Sequence, residues 1–192
     1  MDALTDGDLL ERLTAHSSDP GIIRYARYWL ACRAGRLIPL RCDFRPEHLR
    51  ADMTSLVVIE PIDETRAPIR LAGSRLKAFF GKDLTGADYF GLARPEVRAI
   101  RVHRAMNLVR RPCGAWTSVR RPGARGDLFL DTLLLPWGFA DGRLPHLIGR
   151  FVVPEDGLAL DDVGADFVGR AFDYAFIDLG AGVPSDTMPA GP

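Results

Sequence analysis

Ile69-Arg70-Leu71-Ala72-Gly73-Ser74-Arg75-Leu76, continuing through Phe79-Phe80-Gly81-Lys82-Asp83-Leu84-Thr85-Gly86, is the stretch whose reading decides the fold. It starts as a strand, breaks at Gly73 into a short helical turn that stops at Gly81, and closes a second tight turn at Gly86. A strand that feeds two compact turns, with no long crossover helix, fits a one-sided antiparallel sheet that builds a lid over its own face. A sheet face under a lid is a place to hold a ligand or a partner.

The flanking sequence extends this sheet in both directions. Upstream, Ser55 to Glu60 contains Leu56-Val57-Val58-Ile59, a β-branched apolar run ended by Pro61, and reads as a buried strand. With Arg66 to Gly73 it forms an antiparallel hairpin around the turn-like Ile62 to Thr65. Downstream, Pro95-Glu96 opens the longest helical pattern, which reaches Arg110 and is stopped by Pro112. Ala99, Val102, Met106 and Val109 form its apolar stripe, with arginines on the other faces. Three strands follow at short intervals, Cys113 to Arg121, Asp127 to Trp137 and His146 to Val153, and predict an antiparallel meander. In the middle one, Leu128, Leu130, Thr132 and Leu134 are placed on the inner face, although Leu133 and Leu135 break the alternation.

At the N-terminus, Asp6 to His16 reads as a short amphipathic helix, and Asp19-Pro20 caps and starts a second one. Ile22, Ala26, Trp29 and Leu30 recur at helical spacing until Gly35 ends it. At the other end, the aromatics Phe167, Phe172, Tyr174 and Phe176 within Asp162 to Asp178 fit a helix or a returning strand. The divisions are a helical extension over 1–45, a core over 46–155, a segment packing on it over 156–180 and a disordered tail over 181–192.

Composition narrows the classes. A chain of 192 residues forms one domain burying roughly 70% of its unfolded surface. Lys+Arg and Asp+Glu both number 25, and this zero net charge argues against nucleic acid as a partner. The acidic start, the lack of an apolar run long enough to span a bilayer, and three widely spaced cysteines (Cys32, Cys42, Cys113) predict a cytoplasmic protein with reduced thiols and no membrane span.

The order of helix, two strands, compact turns, long helix and three strands resembles that of a PAS domain. Tyr28-Trp29, then Arg33-Ala34-Gly35-Arg36-Leu37-Ile38-Pro39, Asp43 and Pro46, resemble the N-terminal signature of a bacterial PAS family. Leu71-Ala72-Gly73-Ser74 and Phe80-Gly81-Lys82-Asp83-Leu84-Thr85-Gly86 resemble its strand-to-turn motif, and the likeness covers Ile23 to Val153. It implies an α+β fold: a PAS-like five-stranded antiparallel sheet with helices on one face and, here, an N-terminal helical extension. It also implies a non-enzymatic sensory or regulatory signalling module that binds a small molecule or a signalling protein partner. Its motif glycines supply backbone angles closed to other residues, and Asp83 caps a turn. The alternatives are a ligand-free interaction adaptor and an enzyme whose site is assembled from residues distant in sequence.

Candidate site residues follow from this layout. A pocket between inner sheet face, lid and long helix is assigned Phe80, Leu84, Tyr89 and Phe90 from the lid, and Ile100, His103 and Met106 from the helix. Trp116, Leu130, Thr132 and Leu134 come from the sheet, and only Tyr89, His103, Thr117 and Thr132 are polar enough to aim at a ligand. The plain reading of the same residues is a filled core. PAS modules often dimerise through an N-terminal helix, so Tyr25 and Trp29 are dimer-helix candidates and a homodimer is expected. Arg98, Arg101, Arg104, Arg110 and Arg111 form a solvated face or dock an acidic partner. His103 sits on the helix that offers an axial histidine in haem-binding PAS proteins, yet one step off the apolar stripe, so haem is disfavoured. No cysteine matches the reactive position of the flavin photosensors, so flavin is more strongly disfavoured and the cofactor is left unknown. The scattered histidines match no metal-ligand spacing, and no nucleophile elbow or phosphate loop is present.

Overall fold

The computed structural model describes residues 4–123, 126–152 and 171–187. Its centre is an antiparallel sheet of β1 (Leu56–Ile59), β2 (Ile69–Ala72), β3 (Gly114–Gly123), β4 (Gly126–Trp137), β5 (His146–Val152) and β6 (Ala171–Ile177). The strand order is β2-β1-β5-β4-β3-β6, so the early hairpin joins the meander through β1 and β5 in one layer. The sheet has six strands, where five were expected. The sixth is the returning strand, paired along β3 from Gly114↔Ile177 to Val119↔Ala171. Phe167 lies outside the described residues.

Helices cover both faces. On the inner face lie α3 (Ser74–Phe80) and α4 (Pro95–Arg110), with the lid between them. On the outer face lie α1 (Asp6–Thr14) and α2 (Pro20–Arg33), the predicted extension. Alternating residues therefore serve two cores: Val57, Ile59, Leu130 and Leu134 pack inward, while Leu56, Val58, Leu133 and Leu135 pack outward. This explains the broken alternation in β4, because a strand buried on both sides reads as a continuous apolar run.

The outer layer is fixed by specific bonds. Asp19 accepts from the Ile22 amide (2.9 Å), capping α2 as its sequence predicts. The Tyr25 hydroxyl donates to the Ile148 carbonyl at 2.7 Å, the Trp29 indole to the Pro136 carbonyl at 3.0 Å and the Trp137 indole to the Tyr25 hydroxyl at 3.2 Å. Tyr25 and Trp29 are fully buried against their own sheet. They are core residues here, and offer no surface to a second copy.

A buried ion-pair cluster completes this layer. Asp52 takes Arg24 at 2.8 Å and Arg150 of β5 at 3.2 Å, and Arg150 also reaches Asp19 at 3.4 Å. A Cβ on Gly21 would fall 2.0 Å from the Arg150 guanidinium, so a larger residue at the start of α2 would have to displace this cluster.

Candidate ligand-binding site

The site is built from the strand-to-turn stretch upward. Gly73 ends β2 and caps α3 at an ordinary φ of −63°. Glycine is required for a reason other than backbone angle: a Cβ there would meet the Thr54 carbonyl oxygen at 2.3 Å. Gly81 and Gly86 do adopt left-handed angles, φ 69° and 86°, at the two turns. Asp83 accepts from the Thr85 amide (2.9 Å), which caps the second turn as expected.

The lid is stitched to the free edge of β2. The Gly86 amide donates to the Ile69 carbonyl and the Ile69 amide to the Ala87 carbonyl, both at 2.8 Å. Asp88 accepts from the amides of Ala67 and Gly91, also at 2.8 Å. The edge strand is thereby covered and its donors used, and Tyr89, Leu84 and Phe80 are held over the sheet.

Beneath them lies a cavity of about 100 Å³, floored by the inner sheet face and walled by α3, the lid and α4. It is large enough to hold several water molecules. Seven of the eleven sequence-assigned residues line it: Phe80, Leu84, Tyr89, Ile100, Leu130, Thr132 and Leu134. Thr117 lines it too, beside Thr132 on the next strand.

Four assigned residues lie elsewhere. Phe90 and Met106 are packed inside the inner core without reaching the cavity. Trp116 faces the outer layer, stacked on His16 at 5.7 Å, because Thr117 takes the inward position in β3. His103 faces away from the cavity, with Nε2 3.0 Å from Asn107 Nδ2 and 3.3 Å from the Ser185 carbonyl oxygen. It therefore cannot offer an axial ligand to anything in the cavity.

The cause of that last error is the face of α4. Val97, Ile100, Arg101, Arg104, Ala105 and Leu108 point into the cavity, while Ala99 and Val102 lie in a shallow outer groove with His103. Two arginines on the inward face hide it from an apolar count. These two line the cavity, while Arg98, Arg110 and Arg111 of the same expected face are exposed. Arg101 stacks on the Tyr89 ring at 4.7 Å and donates to the Tyr89 carbonyl at 3.2 Å. Arg104 stacks on Tyr174 of β6 at 3.8 Å and pairs with both carboxylate oxygens of Asp186 at 2.8 and 2.6 Å. The chain past Gly180, for which composition predicts disorder, thus runs along α4 as far as it is described, to Thr187.

Tyr174, Phe151, Arg101 and Arg104 are cavity residues that sequence reasoning missed. The Tyr174 hydroxyl is buried without a hydrogen-bond partner, and burial first, then the nearby Tyr89, pushes its phenol well above the ordinary value against the pull of Arg104. Among the described lining residues there is no Asp, Glu, His or Cys. Among the described residues no group of side chains could hold a metal ion, and no helix is long and apolar enough to cross a membrane.

This arrangement, a lidded cavity on the inner face of an antiparallel sheet, coincides with a family match: a model described as PAS domain fits residues 17–152. The chain belongs to the PAS domain family. The N-terminal signature of this PAS chain is structural. Tyr28 packs on Trp137 and Phe44, Arg36 pairs with Asp43, and the Arg41 amide donates to the Gly138 carbonyl at 2.7 Å, fastening the connector to the end of β4.

No curated protein matches the chain. Among solved structures it is similar to a light-oxygen-voltage domain described with a flavin analogue, at TM-score 0.42 and 17% identity over 57% of this chain and 84% of that one. It is also similar to the light-state blue-light photoreceptor Aureochrome1 LOV (TM-score 0.39, 17% identity, 58% and 91% covered). An RNA-binding light-oxygen-voltage receptor follows at TM-score 0.40 and 22% identity, over 62% of this chain and 34% of the receptor. The expectation against flavin rested on cysteine placement, and gains nothing from these neighbours.

Proposed function

We propose that this PAS chain is a regulatory module that binds a small molecule in the cavity and passes its presence to the α1–α2 layer. The observation that carries the reading is the cavity itself, a partly open space with a mainly apolar wall and a few polar groups, the usual make-up of a small-molecule site. A path to the outer layer is built into β5. Phe151 lines the cavity, and its neighbour Arg150 is tied on the opposite face to Asp52 and to the α2 cap Asp19. A ligand that favours one packing of β5 against α2 shifts the population of that packing.

The second reading is a ligand-free adaptor, favoured by one observation: about 100 Å³ is below the ~300–1,000 Å³ common for ligand pockets. An enzyme would need an acid, base or nucleophile in the cavity beyond the described tyrosines, threonines and arginines.

Thermal shifts against a library of small metabolites, with native mass spectrometry, separate these readings. A ligand at about a hundred times its dissociation constant adds about 2.7 kcal/mol, or roughly 5–10 °C for a chain of this size. Ala105→Leu fills the cavity from α4 and abolishes that shift. A library that moves nothing, with only the chain mass observed, leaves the adaptor. An absorption band between about 350 and 450 nm would reveal a bound chromophore.

A further inference from the structure

The cavity's charged groups and its two tyrosines lie on one side, across from a floor whose polar groups are the hydroxyls of Thr117 and Thr132, and this narrows the ligand's chemistry. The inference rests on the ligand-binding reading above and names the class of ligand. Val57, Ile59, Leu130 and Leu134 make the floor mainly aliphatic around Thr117 and Thr132, whereas Arg101, Arg104, Tyr89 and Tyr174 line the cavity from α4, the lid and β6. A cation on the wall of an apolar cavity is costly unless an anion pairs with it. Asp186 meets that need for Arg104. Arg101 has no carboxylate partner among the described residues, and its one described hydrogen bond, to the Tyr89 carbonyl, leaves most of its five donors unused. The Tyr174 hydroxyl is a buried donor with nothing to receive its proton, whereas Arg101 is only part-buried. One unpaired positive charge and one unpaired hydroxyl match one planar carboxylate, which the guanidinium fork binds bidentately.

We propose that the cavity takes a small, mainly apolar monocarboxylate of about seven to ten non-hydrogen atoms, its carboxylate on Arg101 and the Tyr174 hydroxyl and its tail along Val57, Ile59 and Leu134. A phosphate ester fits less well, since its second charge would find Arg104 already held by Asp186.

The test is calorimetric titration of the full chain with benzoate and hexanoate, against their neutral counterparts benzyl alcohol and hexan-1-ol. The carboxylates are expected to bind at least tenfold more tightly than the alcohols. Arg101→Gln lowers carboxylate affinity about 10- to 100-fold and leaves the alcohols unchanged. Tyr174→Phe removes a hydroxyl that makes no bond in the free protein, so it keeps the fold and lowers carboxylate affinity several-fold. Alcohols that bind as well as carboxylates, carboxylates that do not bind, or affinities untouched by both substitutions overturn the carboxylate assignment. Alcohol binding that Ala105→Leu abolishes would keep the pocket while losing the carboxylate, and silence from all four compounds removes this ligand class together with the evidence for a pocket of this size.

Discussion

A methyl group at position 73 would stand 2.3 Å from the Thr54 carbonyl oxygen and 2.7 Å from that of Met53. Both are backbone atoms that cannot swing aside, so Gly73→Ala costs about 1–3 kcal/mol, read as a lower urea midpoint at unchanged slope. A variant as stable as the parent would refute the close approach. Asp52→Ala leaves Arg150 only its longer contact with Asp19 in the outer layer and costs about 3 kcal/mol, where an exposed pair would cost under about 1. Cys113 is buried and its thiol is pushed up to about 12 by desolvation, so alkylation at pH 8 should modify the exposed Cys42 and spare Cys113 until the chain unfolds. Burial lowers the His146 pKa; Glu60 opposes this, and Arg41 and Arg143 reinforce it. Because the folded value lies below the unfolded one, the stability from neutral His146 is present above about pH 6.5 and falls away as the pH drops below it. His146→Gln should flatten that acid limb in urea titrations between about pH 7 and 5.

At the scale of elements, the two sides of the molecule differ in how readable they were. The bounds of α4 are visible because Pro95 starts it and Pro112 stops the chain beyond it. Its orientation is only half visible: Met106 and Val109 of the expected stripe are buried in the inner core, but Ala99 is exposed, and Arg101 and Arg104 line the cavity instead. Arginines bury their stems while their guanidinium groups find partners, and no apolar count registers that. In β3 a single step of register moved Trp116 from the expected pocket to the opposite face. The strong stripe of α2 was legible, but its partner was not: Tyr25 and Trp29 hydrogen-bond to the backbone of β5 and β4. Trp29→Ala should therefore cost about 3–5 kcal/mol and leave the assembly state of the folded protein unchanged by light scattering. A change of assembly with full stability would return that helix to an interface between copies.

For the whole molecule, one sheet separates two layers with different tasks. The outer layer is filled with large side chains and locked by the Asp52–Arg150 cluster. The inner layer keeps a space that its own side chains do not fill, and the lid that covers it also seals the sheet edge. Adjacent residues of β5 face both layers, so under the proposed function that strand would carry occupancy to the outer layer. The measurement that tests this most directly is methyl NMR of the intact chain titrated with the metabolite library. Resonances of Val57, Leu130 and Leu134 on the inner face should move first, followed on saturation by Val58 and Ile148 beneath α2. A library that shifts no inner-face methyl, or shifts only those of the outer layer, would contradict it.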